Sequence, residues 1–263
     1  MRRRIGIVVG LAAGAAAGAA VVAAAERTED PLPAVSAQRP LAEPAHPALA
    51  IGAPERLADG PHVSRWAQLR RSVVARARPA QGSRALAKVS LRTPEGTVTA
   101  LPVLGRRVGA DGALWMRVAL PVLPNGTRGW VPRSALGAYE LSRDRVVVDL
   151  RGQRLTLFKR GRAVLRAPVG IGEARWPTPR GTFLIRNRLQ RYRSAAYGPV
   201  AFGTSARSPT LTDWPAGGFI GIHGTDAPDL LPGRVSHGCV RLRNPDILRL
   251  ARLMEVGTPV VIR

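Results

Sequence analysis

Cys239 is the only cysteine in a chain of 263 residues, and it stands in Ser236-His237-Gly238-Cys239-Val240-Arg241, with His223 one loop upstream. A thiol attacks only as thiolate and has a reference pKa of about 8.5, so a nucleophilic cysteine needs a base or an electropositive setting. His223 supplies that base if the loop between them, punctuated by Pro228, Pro232 and Gly233, folds back on Cys239. In an extended segment His237 and Cys239 would project to the same side. Gly238 between them would let a substrate carbonyl approach backbone N–H groups. Arg241 offers a bidentate fork for a carboxylate. Plainer readings stand beside these: a buried small hydrophobe for Cys239, a hydrogen-bonded structural group for His223, a solvated face for Arg241 and a helix cap for Asn244. Zinc is disfavoured because the short spacings of closed zinc motifs are absent and no fourth ligand beyond Asp226 suggests itself, so neither metal nor cofactor is expected.

These residues need a scaffold, and the last segment, 141–263, reads as one. Val146–Leu150, Gln153–Phe158 and Ala163–Leu165 are apolar-rich runs joined at Arg151-Gly152 and Arg160-Gly161, which predicts a meander of antiparallel hairpins. Thr182–Ile185 and Phe219–His223 read as further strands, the second ending on His223. Asn244-Pro245-Asp246 predicts an N-cap, a proline at the first helical position and an acidic first turn. Ile247, Leu248, Leu250, Ala251 and Met254 would then form one apolar face before Gly257, and Pro259–Ile262 would be a last strand. Residues 187–218, rich in Arg, Tyr, Ser and Pro, read as a cap over the site carrying Tyr192, Tyr197 and Trp214, or as a plain solvent loop.

Upstream, 88–140 breaks into short alternating runs, with Leu114–Val118 and Gly129–Pro132 as strands and Asn125-Gly126 as a turn. Trp115 and Trp130 are core aromatics or a binding face. Trp66, Leu69 and Val73 recur at helical intervals, which predicts a helical connector over 63–87.

Ile222-His223-Gly224-Thr225, followed by Ser236 through Leu242, resembles the signature of the L,D-transpeptidase (YkuD-type) catalytic family. Trp176-Pro177-Thr178-Pro179-Arg180-Gly181-Thr182-Phe183 is similar to that family's Thr-Pro-x-Gly-x-Phe element. The likeness covers Arg145 to Arg263, and 88–140 resembles the bacterial SH3-like domains that precede wall-remodelling enzymes. It implies a mainly β protein: a small SH3-like barrel, then a β-rich catalytic domain with a short C-terminal helix.

The resemblance implies acyl transfer on peptidoglycan stem peptides, with Cys239 as nucleophile, His223 as proton carrier and His237 beside them. Gly238, Gly224 and Ser236 would support the oxyanion and backbone, while Arg241, Asn244 and Tyr197 would contact substrate. Some members have Ser after the first histidine; here Gly224 stands there, so a backbone carbonyl or another side chain must orient His223. Water as acceptor would give an L,D-carboxypeptidase, and carbapenems would acylate the thiol better than penicillins. A wall-binding module without turnover and a charge-driven scaffold are the alternatives.

Arg2, Arg3 and Arg4 precede an uncharged run from Ile5 to Ala25 that ends in small residues, which predicts a signal peptide or signal-anchor over 1–25 and an exported, cell-envelope or periplasmic protein. The Pro/Ala-rich stretch 26–62 reads as a disordered linker. The net charge of +23 is almost all Arg and is scattered through every segment, so nucleic acid is not an expected partner, whereas anionic envelope polymers are. Membrane contact is expected only through an N-terminal anchor.

Overall fold

The computed structural model describes residues 55–56, 63–190, 192, 195–211 and 218–263. The predicted export segment, nearly all of the predicted linker, His46, His62 and Trp214 lie outside the described residues. Among the described residues no helix is long and apolar enough to cross a membrane.

The described chain is mainly β, in two sheets. The first is built from β1 (Glu55–Arg56), β2 (Ser64–Leu69), β3 (Val73–Arg76), β4 (Ala85–Val89), β5 (Ala100–Val108), β6 (Leu114–Ala119), β7 (Arg128–Pro132) and β8 (Leu136–Ser142). They run in the order β4-β3-β7-β6-β5-β2-β8, with β1 added to β5. Burial alternates along them, and Ala67, Leu69, Leu101, Val103, Met116, Val118 and Val131 form one core. Trp115 and Trp130 are buried, so they are packing residues and not an exposed binding face.

The helical connector predicted over 63–87 is instead three strands, β2, β3 and β4. Trp66, Leu69 and Val73 fit a helical interval only because a turn separates β2 from β3. Within each strand the buried positions alternate, Ala67 with Leu69 and Val73 with Ala75, which is the period of a strand. The sheet accordingly starts well before residue 88. Glu55–Arg56, inside the predicted linker, pairs antiparallel with β5.

The second sheet contains β9 (Asp144–Asp149), β10 (Arg154–Lys159), β11 (Arg162–Pro168), β12 (Gly170–Gly172), β13 (Gly181–Gln190), β14 (Val200–Arg207), β15 (Phe219–His223), β16 (Gly233–Ser236), β17 (Val240–Arg241) and β18 (Pro259–Ile262). Their order is β11-β10-β9-β18-β13-β14-β15-β17-β12-β16. Arg160 and Gly161 both have positive φ, as a two-residue turn between right-twisted strands demands. The long β13 pairs with β18 through Gly181–Leu184 and with β14 through Ile185–Gln190, and a bulge between Ile185 and Asn187 marks the change of partner.

Of the cap expected over 187–218, residues 187–190 and 200–207 belong to this β13–β14 hairpin. Polar Gly203, Thr204 and Ser205 hide the strand character of β14, which is buried along most of its length. Helix α1 (Asn244–Leu253) packs Ile247, Leu250 and Ala251 into the core, while Leu248, expected on the same face, is 40 % exposed.

Side chains from the two sheets lock together. The Asn125 side chain donates to the Arg207 carbonyl and accepts from the Arg207 N–H, pairing with the end of β14 as a strand would. Gly257 has φ +87, and a Cβ there would fall on the Trp66 indole of β2. Gly257→Ala combines left-handed backbone strain with overpacking against a bulky ring, together about 2–4 kcal/mol. Chemical denaturation of the variant should show a loss of that size, while an exposed substitution on the helix such as Arg252→Lys leaves the midpoint nearly unchanged.

Candidate functional site

β15 and β17 lie side by side in parallel, with Ile222 opposite Val240 and His223 opposite Arg241. Neighbouring strands are about 4.8 Å apart, so this register brings the end of β15 beside Cys239. The Gly221 N–H donates to Cys239 Sγ at 3.3 Å. A Cβ on Gly221 would lie 3.6 Å from His223 Cδ2 and 3.8 Å from Cys239 Sγ, so glycine keeps the space between imidazole and thiol open.

The residues around Cys239 form a chain reversal and not the extended segment expected. β16 runs parallel to β12 and β17 antiparallel to it, so the direction must invert within His237–Cys239. Gly238 makes the turn at φ +111, where a Cβ would press on Ile220 Cδ1 at 2.9 Å. Buried Ser236 braces it: its Oγ donates to the Cys239 carbonyl at 2.6 Å and accepts the Gly238 N–H at 3.1 Å.

Thr178 acts from the opposite side. Its Oγ accepts the Gly172 N–H and donates to the Gly238 carbonyl, each at 2.8 Å. In a trans peptide the N–H points opposite to the C=O. Holding the Gly238 carbonyl toward Thr178 therefore turns the Cys239 N–H away from it. Thr178 was visible only as part of the Thr-Pro-x-Gly-x-Phe element, and nothing in the sequence marked Gly221.

His223 is buried, and its Nδ1 lies 2.6 Å from the Gly224 carbonyl. A carbonyl can only accept, so Nδ1 carries the proton and Nε2 is left as the basic nitrogen. The orienting group is thus the backbone of the next residue. Gly224 must be small, because a Cβ there would collide with Asn244 Oδ1. Asn244 does not cap its own helix: the N-cap position is Arg243 without a side-chain bond, and Asn244 Oδ1 accepts the Thr225 N–H at 3.0 Å. Pro245 fixes the helix start, which frees Asn244 to hold the loop after His223.

A cavity of about 310 Å³ is lined by Tyr197, Phe219, His223, His237, Cys239 and Arg241 among others. The Tyr197 ring packs 4.8 Å from the His223 ring and edge-on to Tyr192, so it contacts the imidazole as well as the cavity. His237 stacks on Trp176 at 3.9 Å, with Arg175 over the same indole at 3.7 Å. Arg241 Nε is buried without a hydrogen-bond partner among the described residues.

Electrostatically the pair rests neutral. Burial lowers the His223 pKa to about 4; Arg241 lowers it too, while the Gly224 carbonyl and Asp226 oppose. Burial also raises the Cys239 thiol, against the Gly221 N–H and Arg241, which favour thiolate. Both shifts favour the uncharged forms, a protonated thiol and a neutral imidazole.

Residues 143–262 match the family model of the L,D-transpeptidase catalytic domain, YkuD. The chain is 36% identical over 118 residues to the putative L,D-transpeptidase YkuD of Bacillus licheniformis, covering 45% of this chain and 64% of that protein. To the probable L,D-transpeptidase ErfK/SrfK of Salmonella typhimurium it is 31% identical over 211 residues, 70% of this chain and 66% of that one. It therefore spans less than two thirds of the length of these curated relatives. Among solved structures, Bd1075 of Bdellovibrio bacteriovorus is 32% identical with a TM-score of 0.38, covering 46% of this chain and 47% of that one. The catalytic domain of the E. faecium L,D-transpeptidase is 26% identical with a TM-score of 0.35, covering 45% and 95%.

A pH dependence of stability follows from His223. Its folded pKa of about 4 lies below the ordinary 6.5, so below pH 6.5 the unfolded chain takes up a proton that the folded chain refuses. Stability from this group is complete above pH 6.5 and is lost as the pH falls toward 4, by about 3 kcal/mol in all. Denaturant titrations across that window should show the decline in the wild type and a flatter profile in His223→Gln, which has no proton to gain.

Proposed function

Because residues 143–262 belong to the L,D-transpeptidase catalytic-domain family, we propose that this chain cross-links peptidoglycan stem peptides through a thioester on Cys239. The observation that carries the reading is the placement of a lone thiol, a singly protonated imidazole and a pinned backbone turn around one cavity.

In the first half-reaction His223 Nε2 takes the Cys239 proton as Sγ attacks the carbonyl of the diamino-acid residue in a donor tetrapeptide. The tetrahedral oxyanion draws on the Cys239 N–H, since the Gly238 N–H is already held by Ser236 Oγ and the Gly238 carbonyl by Thr178. Collapse breaks the peptide bond, and the imidazolium returns its proton to the departing D-alanine amine. In the second half-reaction His223 takes a proton from an amine of another stem. That nitrogen attacks the thioester carbonyl, the C–S bond breaks and the thiol is restored with the proton. Water in place of the amine gives L,D-carboxypeptidase turnover.

Arg241 is suited to a substrate carboxylate, since its buried Nε has no protein partner among the described residues. His237, stacked on Trp176, walls the site, and Ser236 and Gly224 hold its backbone. Tyr197 shapes the cavity over His223, and Asn244 acts by holding the Thr225 loop. The first sheet is read as an SH3-like module, and the protein as exported to the cell envelope, where its positive charge favours anionic polymers.

The test uses the purified chain with defined tetrapeptide stems and mass analysis of products. The wild type should release D-alanine and form cross-linked dimers, and a carbapenem should add one covalent mass to the peptide carrying Ser236 to Arg241. Cys239→Ala should lose both; turnover by the folded variant, or an adduct on Ser236, would reject the nucleophile.

Thr178→Val keeps the side-chain shape and removes the bond to the Gly238 carbonyl. Losing one oxyanion donor outright slows catalysis about 10²- to 10³-fold, and misaiming one by releasing its peptide should slow acylation by roughly 10- to 100-fold. Stopped-time mass spectrometry should register that drop with the substrate concentration for half-saturation unchanged.

A further inference from the structure

Glu95 lies in the turn between β4 and β5 of the first sheet, far from the catalytic motifs in sequence, yet it lines the same small cavity, about 50 Å³, as Cys239 and His223. It sits on a tight turn in which the Thr93 N–H donates to the Thr97 carbonyl, the Gly96 N–H to the Thr93 carbonyl, and Gly96 takes φ +82. The carboxylate meets two consecutive side chains of β13. Arg186 Nη2 donates to Oε1 at 2.6 Å, and Asn187 Nδ2 donates to Oε2 at 3.1 Å.

Consecutive strand residues ordinarily face opposite sides; the bulge between Ile185 and Asn187 re-aims them so that both reach one partner. Gly203 makes room, since a Cβ there would strike Asn187 Oδ1. The ion pair is nearly dry, its side chains 4 % and 6 % exposed, so each charge depends on the other.

From Arg186 the connection runs directly to the catalytic strand. Its guanidinium carbon lies 3.8 Å over the ring of Phe219, the first residue of β15. Two residues on, Gly221 donates to Cys239 Sγ, and β15 ends at His223. Arg186 Nε donates to the Thr204 carbonyl and Asn187 Oδ1 accepts the Gly203 N–H, so the same pair also grips β14.

We propose that Glu95 is a positioning residue of the acyl-transfer site, through which the first sheet holds Arg186, Phe219 and hence β15 in register with the Cys239 turn. The catalytic domain's site is on this view completed by the domain before it. The inference rests on Cys239 being the nucleophile.

The test compares the full-length chain with Glu95→Gln, Glu95→Asp and the double variant Glu95→Gln/Arg186→Met. Three readouts are taken: the thermal midpoint, the single-turnover rate of Cys239 acylation by a carbapenem, and the pH midpoint of Cys239 alkylation by iodoacetamide. The charged and titratable groups around the thiol are His223, His237, Arg241, Tyr192 and Tyr197, with Glu95 and Arg186 across the cavity.

Glu95→Gln should acylate at least ten-fold more slowly per folded molecule. Its alkylation midpoint should move to lower pH, because an unpaired Arg186 cation then favours the thiolate. Arg186→Met added to Glu95→Gln should return that midpoint to its original place while acylation stays slow. Glu95→Asp keeps the charge but withdraws it, so acylation should slow with no shift of the midpoint; it serves if Glu95→Gln fails to fold.

A purely structural anchor would lower the thermal midpoint and leave the acylation rate per folded molecule and the alkylation midpoint unchanged, and that result overturns the proposal. Alkylation needs only an accessible thiol. A wild type that alkylates but is not acylated would instead fault the nucleophile reading.

Discussion

The parallel pairing of β15 with β17 is the constraint on which the site depends. A parallel neighbour cannot be reached by a hairpin and needs a long crossover. Here the crossover is the loop after His223, a short 3-10 turn at Pro228–Leu230, and β16. Because β16 runs one way along β12 and β17 the other, the crossover must end in a reversal, and the reversal is where Cys239 sits. Slipping the register by one residue would turn every side chain of β15 to the opposite face. Ile222 would then leave the core and the imidazole would leave the thiol, so the core that buries Ile220, Ile222, Val240 and Leu242 also keeps the two reactive groups together.

Around that pairing the backbone supplies much of the site. The Gly224 carbonyl sets the tautomer of His223, the Gly221 N–H meets the sulfur, and Ser236 and Thr178 hold the peptide planes of the turn from two directions. Backbone groups move only with their strands, which makes the arrangement stiff. It also places glycines where side chains would intrude: at Gly221 between thiol and imidazole, and at Gly224 against Asn244.

The side chains gathered around the cavity were legible in the sequence because their types are scarce and their neighbours specific. One cysteine and a histidine at a strand end do line one cavity, and the Arg160-Gly161 turn and the Pro259–Ile262 strand were equally readable. What escaped detection is instructive. β2 and β3 imitated helical spacing across a turn, and β14 carried polar residues that are buried because both its faces are covered. Asn244 showed every local mark of a cap, yet Pro245 made the cap dispensable and the side chain went to Thr225. Glu95 carried no local signal at all, since its partners are distant in sequence and are presented by a bulge. Local pattern reports local needs, and these residues answer to tertiary ones.

The neutral resting state of Cys239 and His223 sets what the protein can react with. A permanently ionised thiolate is open to any small electrophile or oxidant that diffuses past. Here burial favours the protonated sulfur and the uncharged imidazole, so in the proposed reaction attack would create two charges at once inside the cavity. Only a partner that brings its carbonyl to the turn, and so gives the new negative charge somewhere to rest, lowers that barrier. In the proposed acyl transfer, discrimination would thereby be exercised at the moment of ionisation, before any bond to sulfur is made, and burial would protect the thiol from oxidants in the meantime.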